Sequence, residues 1–353
     1  YGPKFINGES TSFLAVNRNK KSLALNLKSS EGKEIAFALA TKTDIIIENF
    51  KLGTMAKLGL DYEALSKCNP GLIYCSISGF GRTGPYRERG GFDLILQGMS
   101  GIMSVTGDPD RPPAKVGVPI TDIGAGIYAV VGILAAYIFR EKTGKGQLVD
   151  ASLLEAGLGF ATLAAINYFA DGKAPQRLGS ASSQNAPYQA FETQDGYINV
   201  GTGNEQLWKR FCEILGLKQL VDEPRFKDNF SRVKNQAALA AEIAPAIQSK
   251  TTKECLNLFT DAGIPCGPIY DIGEALMDPQ TQDRGMVIGY EHPKAGKVKN
   301  IGFPVKFSEI EVGVKRYPPQ LGEHTYTILQ SVGYSESHLK TLEEKGIIKQ
   351  SSF

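Results

Sequence analysis

Histidine is the residue this chain does most without. It has three, His292, His324 and His338, and the first 291 residues contain none. A Ser–His–Asp triad or a multi-histidine metal site would have to draw on the tail, and neither is expected. Cysteine is sparse, scattered and odd in number (Cys68, Cys75, Cys212, Cys255, Cys266), with no CxxC pair. That pattern offers neither a disulfide framework nor a zinc cluster, and it fits a reducing compartment. No strongly basic block occurs and the net charge is only +2, so nucleic acid is not an implied partner. The longest apolar stretch, Ile123 to Phe139, is rich in Gly and Ala and short for a membrane span. It is expected to be a buried core helix, with no membrane as partner. No secretory or transit segment opens the chain, and the first residues, YGPKFINGES, read as the middle of something, with neither an initiator Met nor a hydrophobic strand.

What is present is the composition of an ordinary globular protein, 42% apolar and 22% charged, long enough at 353 residues for a large core and two domains. The first half alternates helix and strand. Helices are expected at 29–43 and 61–69, and buried strands at 44–50 and 71–80. That alternation predicts an α/β fold with a parallel, doubly wound sheet. Ligands bind beyond the carboxyl ends of such strands, here Glu48, Asn49 and Phe50, and Ser78, Gly79 and Phe80. A long helix is expected at 151–170, ended by Asp171-Gly172. A hairpin with its turn at Asp195-Gly196 follows over 187–201, then helices near 204–216, 235–249 and 252–262, which together suggest a smaller α+β domain. A final charged helix is expected at 337–345.

The most informative stretch is VGVPITDIGAGIYAVVGILAA, residues 116–136. Asp122 stands alone between an extended apolar piece and an apolar helix. It reads either as an N-cap or as a catalytic carboxylate, and the two roles are compatible because helix N-terminal N–H groups also favour an ionised carboxylate. Gly117, Gly124 and Gly126 would leave room for a ligand or another backbone. GFGRTG (79–84) matches the dinucleotide fingerprint on paper, but Pro85-Tyr86 and Gly90-Gly91 interrupt the helix it would have to open. No NAD site is expected there; a glycine-rich active-site loop is. GTGN (201–204) is either a tight turn or a mobile loop with bare N–H groups beside a ligand. The cluster Arg18, Lys20, Lys21 and Lys28 is either solvated charge or a phosphate site.

In series, NRNKKSLALNLKSSEGKEI, DIIIENFKLGTMAKLGLDYEAL, LIYCSISGFGRTGPYRERGGFDLI, PITDIGAGIYAVVGILAAY, GKGQLVDASLLEA, PYQAFETQDGYINVGTGN, AGIPCGPIYDIGEAL and PPQLGEHT run through the chain. This resembles the class III CoA-transferases, the formyl-CoA transferase and carnitine CoA-transferase family. Among them it is most similar to dicarboxylate enzymes of the succinyl-CoA:glutarate type. The resemblance implies a Rossmann-like large domain over 1–165, a small α+β domain over 185–285, and a tail over 286–353 that returns to the first domain. It implies an interlocked homodimer.

Asp122 would be the nucleophile, forming an aspartyl–acyl anhydride from an acyl-CoA and releasing CoA thiolate. An incoming carboxylate would take the acyl group and CoA would return to the activated acid. Coenzyme A and acyl-CoA are then substrates, with no metal and no NAD. Leu25, Lys28, Asn49, Phe50, Lys57 and Leu58 match CoA-contacting positions; Lys57 stands where relatives often carry Arg. Phe92 and Asp93, near the reaction centre, are expected to be CoA-binding as well, and Gly201 and Gly203 match the glycine loop over the site and are expected to act in catalysis with Asp122.

The related acyl-CoA racemases carry His at the position of Phe92, which argues against that alternative. A strand–helix unit that opens family members is absent here, which makes an inactive CoA-binding protein a second alternative. GFGRTG alone supports a third, a dehydrogenase. A dicarboxylate would need a cation for its distal carboxylate, and Arg18, Arg89 and Arg177 are candidates. The bacterial cytoplasm or the mitochondrial matrix would suit; secretion is not expected.

Overall fold

A computed structural model describes residue 2 and residues 4–351. The chain divides into two compact units: Tyr1–Ser78, Ala129–Asp150 and Ile272–Phe353 form one, and Gly79–Tyr128 with Ala151–Asp271 the other.

The first unit is built on strands Ile45–Glu48 and Ile73–Ser78, parallel and in register from Ile45 opposite Ile73 to Glu48 opposite Ser76. Strand Leu148–Ser152 follows Ile73–Ser78 in the sheet order. The β-branched run at 45–47 favours extension. Ile73–Ser78 is central and its first four residues are buried, whereas Ile45–Glu48 lies at the edge with Ile47 exposed, so the buried strand expected over 44–50 is buried on one side only. Helix Ser30–Ala40 begins where Ser29 Oγ accepts from Gly32 N, and Gly32 is required there because a Cβ would sit 2.0 Å from Asn26 O.

The C-terminal residues complete this unit. Strand Ile348–Lys349 pairs antiparallel with Ala24–Leu25, and Ile35 shares one core with Leu329, Leu339, Leu342, Ile347 and Ile348. His292 is buried in the hairpin of Val287–His292 and Gly296–Ile301: its Nδ1 accepts from Lys294 N and Ala295 N, and its Nε2 meets Pro318 O. This histidine is a turn-former.

The second unit holds an antiparallel sheet in which Tyr197–Gly201 lies between Tyr188–Glu192 and Cys266–Pro268, the last a strand that the sequence pattern does not announce. Phe191, Ile198, Trp208, Phe211, Phe226, Ile243 and Phe259 form its core under helices Glu205–Ile214, Gln236–Gln248 and Thr252–Asp261.

Two helices differ from expectation. The segment 151–170 is not one helix: Ala151 and Ser152 end a strand, Ser152 caps helix Leu153–Phe160, and helix Thr162–Asp171 departs at 68°. Gly157 and Gly159 explain the weakness. A Cβ on Gly157 would lie 2.4 Å from Ser100 Oγ, and one on Gly159 2.9 Å from Tyr128 Oη, so packing demands glycines that lower helix stability just before the break.

The apolar helix runs over Ile120–Thr143, 24 residues, longer at both ends than the segment 123–139. It is buried on one stripe only. Ala125, Ala129, Ile133 and Ala136 are buried, while Ile127, Val130, Val131, Leu134 and Ile138 are each more than half exposed. It is therefore not a fully buried core helix in the single chain. By length and composition alone it could cross a membrane.

Candidate active site

The helix start fixes the context of Asp122. Because the helix begins at Ile120, Asp122 lies inside its first turn and is not the N-cap. It still sits at the positive end of the helix dipole. The entry to this helix is clamped from a second helix, Asp93–Met99. Asp93 Oδ1 accepts from Thr121 N at 2.9 Å and from Thr121 Oγ1 at 2.8 Å, and its Oδ2 accepts from Gln97 Nε2 at 2.7 Å. Gln97, wholly buried, also donates to Val118 O at 3.3 Å and accepts from Val116 N at 2.8 Å. Asp93 and Gln97, one helical turn apart, thus hold both the extended piece 116–118 and the residue before Asp122. Sequence reading placed Asp93 near the site but missed Gln97 and Thr121. The i, i+4 spacing of an acid and an amide in an apolar helix was the available signal.

The carboxyl of Asp122 is pushed above the usual carboxylate range, first by partial burial among its neighbours and then by the charge of Asp93. Its side chain nonetheless remains open to solvent on one side in this chain. Of the three glycines around it, Gly124 is filled from within, since a Cβ there would lie 2.4 Å from the Phe160 ring, whereas Gly117 and Gly126 face open space. Phe92 precedes Asp93 and is 81% exposed, a ring with no proton to give or take. No histidine belongs to this unit. The Cys212 thiol is pushed up to about 12, chiefly by burial, so it is a poor nucleophile.

Gly201 ends strand Tyr197–Gly201 against the ring of Tyr188, which a Cβ would meet at 2.9 Å. Both line a cavity of about 410 Å³. The loop that follows is anchored on either side of its second glycine. Thr202, buried, donates through N and Oγ1 to Pro187 O. Asn204 caps the next helix by accepting from Leu207 N. Glu205 pairs with the fully buried Arg232, which also donates to Ala186 O at 2.8 Å and lies over the Trp208 ring. A Cβ on Gly203 would meet nothing within 4 Å, so the tip of this loop borders open space. Thr202, Glu205 and Arg232 escaped the sequence reading.

The remaining expected positions lie in the first unit. Asn49 and Phe50 follow the carboxyl end of Ile45–Glu48; Asn49 Nδ2 donates to Ile77 O at 2.5 Å, and Glu48 Oε2 accepts from Phe50 N at 2.7 Å. Lys57 and Leu58 close the short helix Thr54–Leu58, flanked by Gly53 and Gly59 at φ +81° and +71°. Leu25 is in the strand paired with Ile348, and Lys28 stands two residues before helix Ser30–Ala40. Asn49 and Phe50 therefore lie at the carboxyl edge of the parallel strands, the edge at which sheets of this kind bind ligands.

GFGRTG opens no helix; residues 79–92 are loop and turn, which disposes of the dinucleotide fingerprint. Among the described residues no cluster of three or more His, Cys, Asp or Glu could hold a metal ion. Arg18 donates to Ile301 O, and Arg177 donates to the carbonyls of Asp108, Pro109 and Arg111, so both guanidinium groups are used in holding backbone.

The first unit thus carries a parallel sheet, and the second a carboxylate in the first turn of a long helix with no histidine in that unit. Residues 1–325 match CoA-transferase family III. The chain is 39% identical over 351 residues to succinyl-CoA:glutarate CoA-transferase of Mus musculus, covering 99% of this chain and 80% of that protein. It is 38% identical over 335 residues to succinate–glutarate CoA-transferase of Agrobacterium fabrum, covering 93% and 84%. Among solved structures, a CAIB/BAIF family protein from Brucella suis superposes with a TM-score of 0.82 at 40% identity, covering 94% of this chain and 88% of that one. The chain belongs to CoA-transferase family III and is a CoA-transferase.

Proposed function

We propose that this enzyme moves CoA from a donor of the succinyl-CoA type to a free dicarboxylic acid, by way of an anhydride on Asp122. The observation that carries the reading is Asp122 itself, a first-turn carboxylate made more basic by partial burial and by Asp93. A carboxylate less stabilised by water is a better nucleophile. The dicarboxylate acceptor is supported by the relatives' substrates, succinyl-CoA with glutarate and with mesaconate.

The steps balance without a redox agent. An Asp122 oxygen bonds to the acyl carbon as the C–S bond breaks, giving the aspartyl–acyl anhydride and CoA thiolate. The acceptor carboxylate takes the acyl group and frees Asp122. The thiolate then attacks the acceptor carbonyl of that second anhydride, forming the new thioester and expelling the donor acid. One thioester replaces another, so the scheme draws on neither metal nor NAD. Asn49, Phe50, Leu25, Lys28, Lys57 and Leu58 would hold CoA, and the Gly203 tip would shield the anhydride from water. The apolar face of Ile120–Thr143 supports an interlocked homodimer, and five free cysteines support a reducing compartment such as bacterial cytoplasm or mitochondrial matrix.

Hydroxylamine added to the full-length protein during turnover should mark Asp122 and no other acid. Asp122→Ala should lose about a thousandfold or more in transfer, while the lost first-turn charge costs only about 0.3–1 kcal/mol of stability. Transfer by Asp122→Ala near the wild-type rate would overturn the mechanism.

A further inference from the structure

Residues 79–91 form a loop that closes on itself. A Cβ on Gly79 would lie 3.0 Å from Gly91 Cα, so the two glycines make a tight stem in which a larger residue would push the facing backbone aside. Within the loop the Phe80 ring rests beside Gly91 and meets Tyr86 edge to face, with centroids 5.6 Å apart. The Arg89 guanidinium sits 4.6 Å from the Tyr86 centroid and 5.5 Å from that of Phe80. Two ring faces therefore orient this cation without neutralising it. Among the described residues no carboxylate or carbonyl accepts from the Arg89 side chain, while neighbouring Arg87 and Glu88 pair with each other. Arg18 and Arg177 are committed to backbone, so of the three arginine candidates Arg89 alone keeps its fork of N–H groups open.

Its position relates it to the nucleophile. The loop's stem leads through Phe92 into Asp93, whose carboxylate holds Thr121 N, the neighbour of Asp122. The four residues from Arg89 to Asp93 span at most about 14 Å of chain. An arginine side chain and a short dicarboxylate together bridge that range. We propose that Arg89 is the specificity-determining residue that recognises the distal carboxylate of the acid whose other carboxylate reacts at Asp122. The inference rests on the CoA-transfer reading above and adds the residue that separates dicarboxylates from monocarboxylates. A guanidinium fork suits a carboxylate bidentately, and a ring-stacked one is already oriented for it.

The test compares glutarate with butyrate, which replaces the distal carboxylate by a hydrogen, using full-length protein and one fixed acyl-CoA donor. In Arg89→Met the ratio of kcat/KM for glutarate over butyrate should fall about ten- to a hundredfold, the worth of charge-assisted hydrogen bonds. The loss should appear in KM for glutarate, because the contact is made before and during reaction alike. Arg89→Lys, which keeps charge without the fork, should restore part of the ratio. Equal losses for both acids, or a raised KM for the acyl-CoA donor alone, would overturn the proposal; the latter would place Arg89 on a CoA phosphate. Circular dichroism and Tm check that both variants fold. Wild-type protein that transfers CoA to neither acid would sink the CoA-transfer reading itself, a result distinct from an Arg89→Met enzyme whose ratio is unchanged.

Discussion

Asp93 and Asp122 are two acids with different employment. Asp93 spends its oxygens on Thr121 and Gln97, while Asp122 keeps its carboxyl uncommitted and more basic. The pH dependence follows. In the proposed mechanism transfer requires ionised Asp122, so activity should rise with pH through its raised pKa, with the acid limb above that of an ordinary carboxylate. Asp93→Asn removes the like charge but leaves the larger cause, burial, in place. The acid limb of kcat should therefore move to lower pH without reaching the unperturbed value, even though kcat itself drops as the clamp loses a bond. A limb that stays put or moves up in a pH–rate profile would contradict the coupling. Asp122 was legible in the sequence because a lone acid between apolar segments stands out. Gln97 offered only its i, i+4 spacing from Asp93, because its partners at 116–118 lie about twenty residues away and only the folded chain shows them.

At the scale of elements, patterning revealed the strands at 45–48 and 73–78 and the hairpin, since their periods and turn residues are local. It misjudged the segments where tertiary contact overrides local preference. The 151–170 stretch is apolar throughout, and only Ser100 and Tyr128 pressing on Gly157 and Gly159 show why one helix becomes two. Gly157→Ala should accordingly destabilise by about 1–3 kcal/mol through overpacking, despite alanine's better helix propensity. A denaturant titration in which this variant equals or exceeds the wild type would refute that reading of the break. The glycine loop shows the same limit. GTGN is visible in sequence, but its anchor is a pair 27 residues apart, Glu205 with Arg232. Arg232→Met should cost about 2–3 kcal/mol, because the Ala186 and Phe226 carbonyls lose their donor. It should also raise acyl-CoA hydrolysis relative to transfer as the loop loosens. An unchanged ratio in the folded variant would confine Arg232 to stability.

For the whole molecule the decisive element is Ile120–Thr143. Hydropathy marked it as interior, yet both of its faces are apolar, so composition could not distinguish the stripe that packs from the side that does not. Soluble monomers seldom leave so continuous an apolar face in water. Sedimentation or light scattering on detergent-free protein should give a dimer, and Leu134→Glu, on the exposed side, should weaken association or lower solubility. A stable monomer with full activity would remove the homodimer from the proposal. The division into units was only partly readable. The alternation of strands and helices announces one sheet, and the family resemblance implies a returning tail from residue 286, but the pattern of residues 272–351 by itself does not show which segment they close; in the structure Ile348 lies opposite Leu25.

That pairing has a consequence for synthesis. A ribosome delivers Ala24 and Leu25 more than three hundred residues before the strand that pairs with them. The second unit, complete once Asp271 has emerged, has all its parts available while the first still waits for its closing strand. The nascent chain should therefore pass through a stage in which the unit that carries Asp122 is folded and the unit that carries the proposed CoA positions is open, a window in which chaperones would find exposed apolar surface. Loss of only the last few residues, from Ile347 onward, should then strike CoA affinity and solubility first and leave the environment of Asp122 largely as it was.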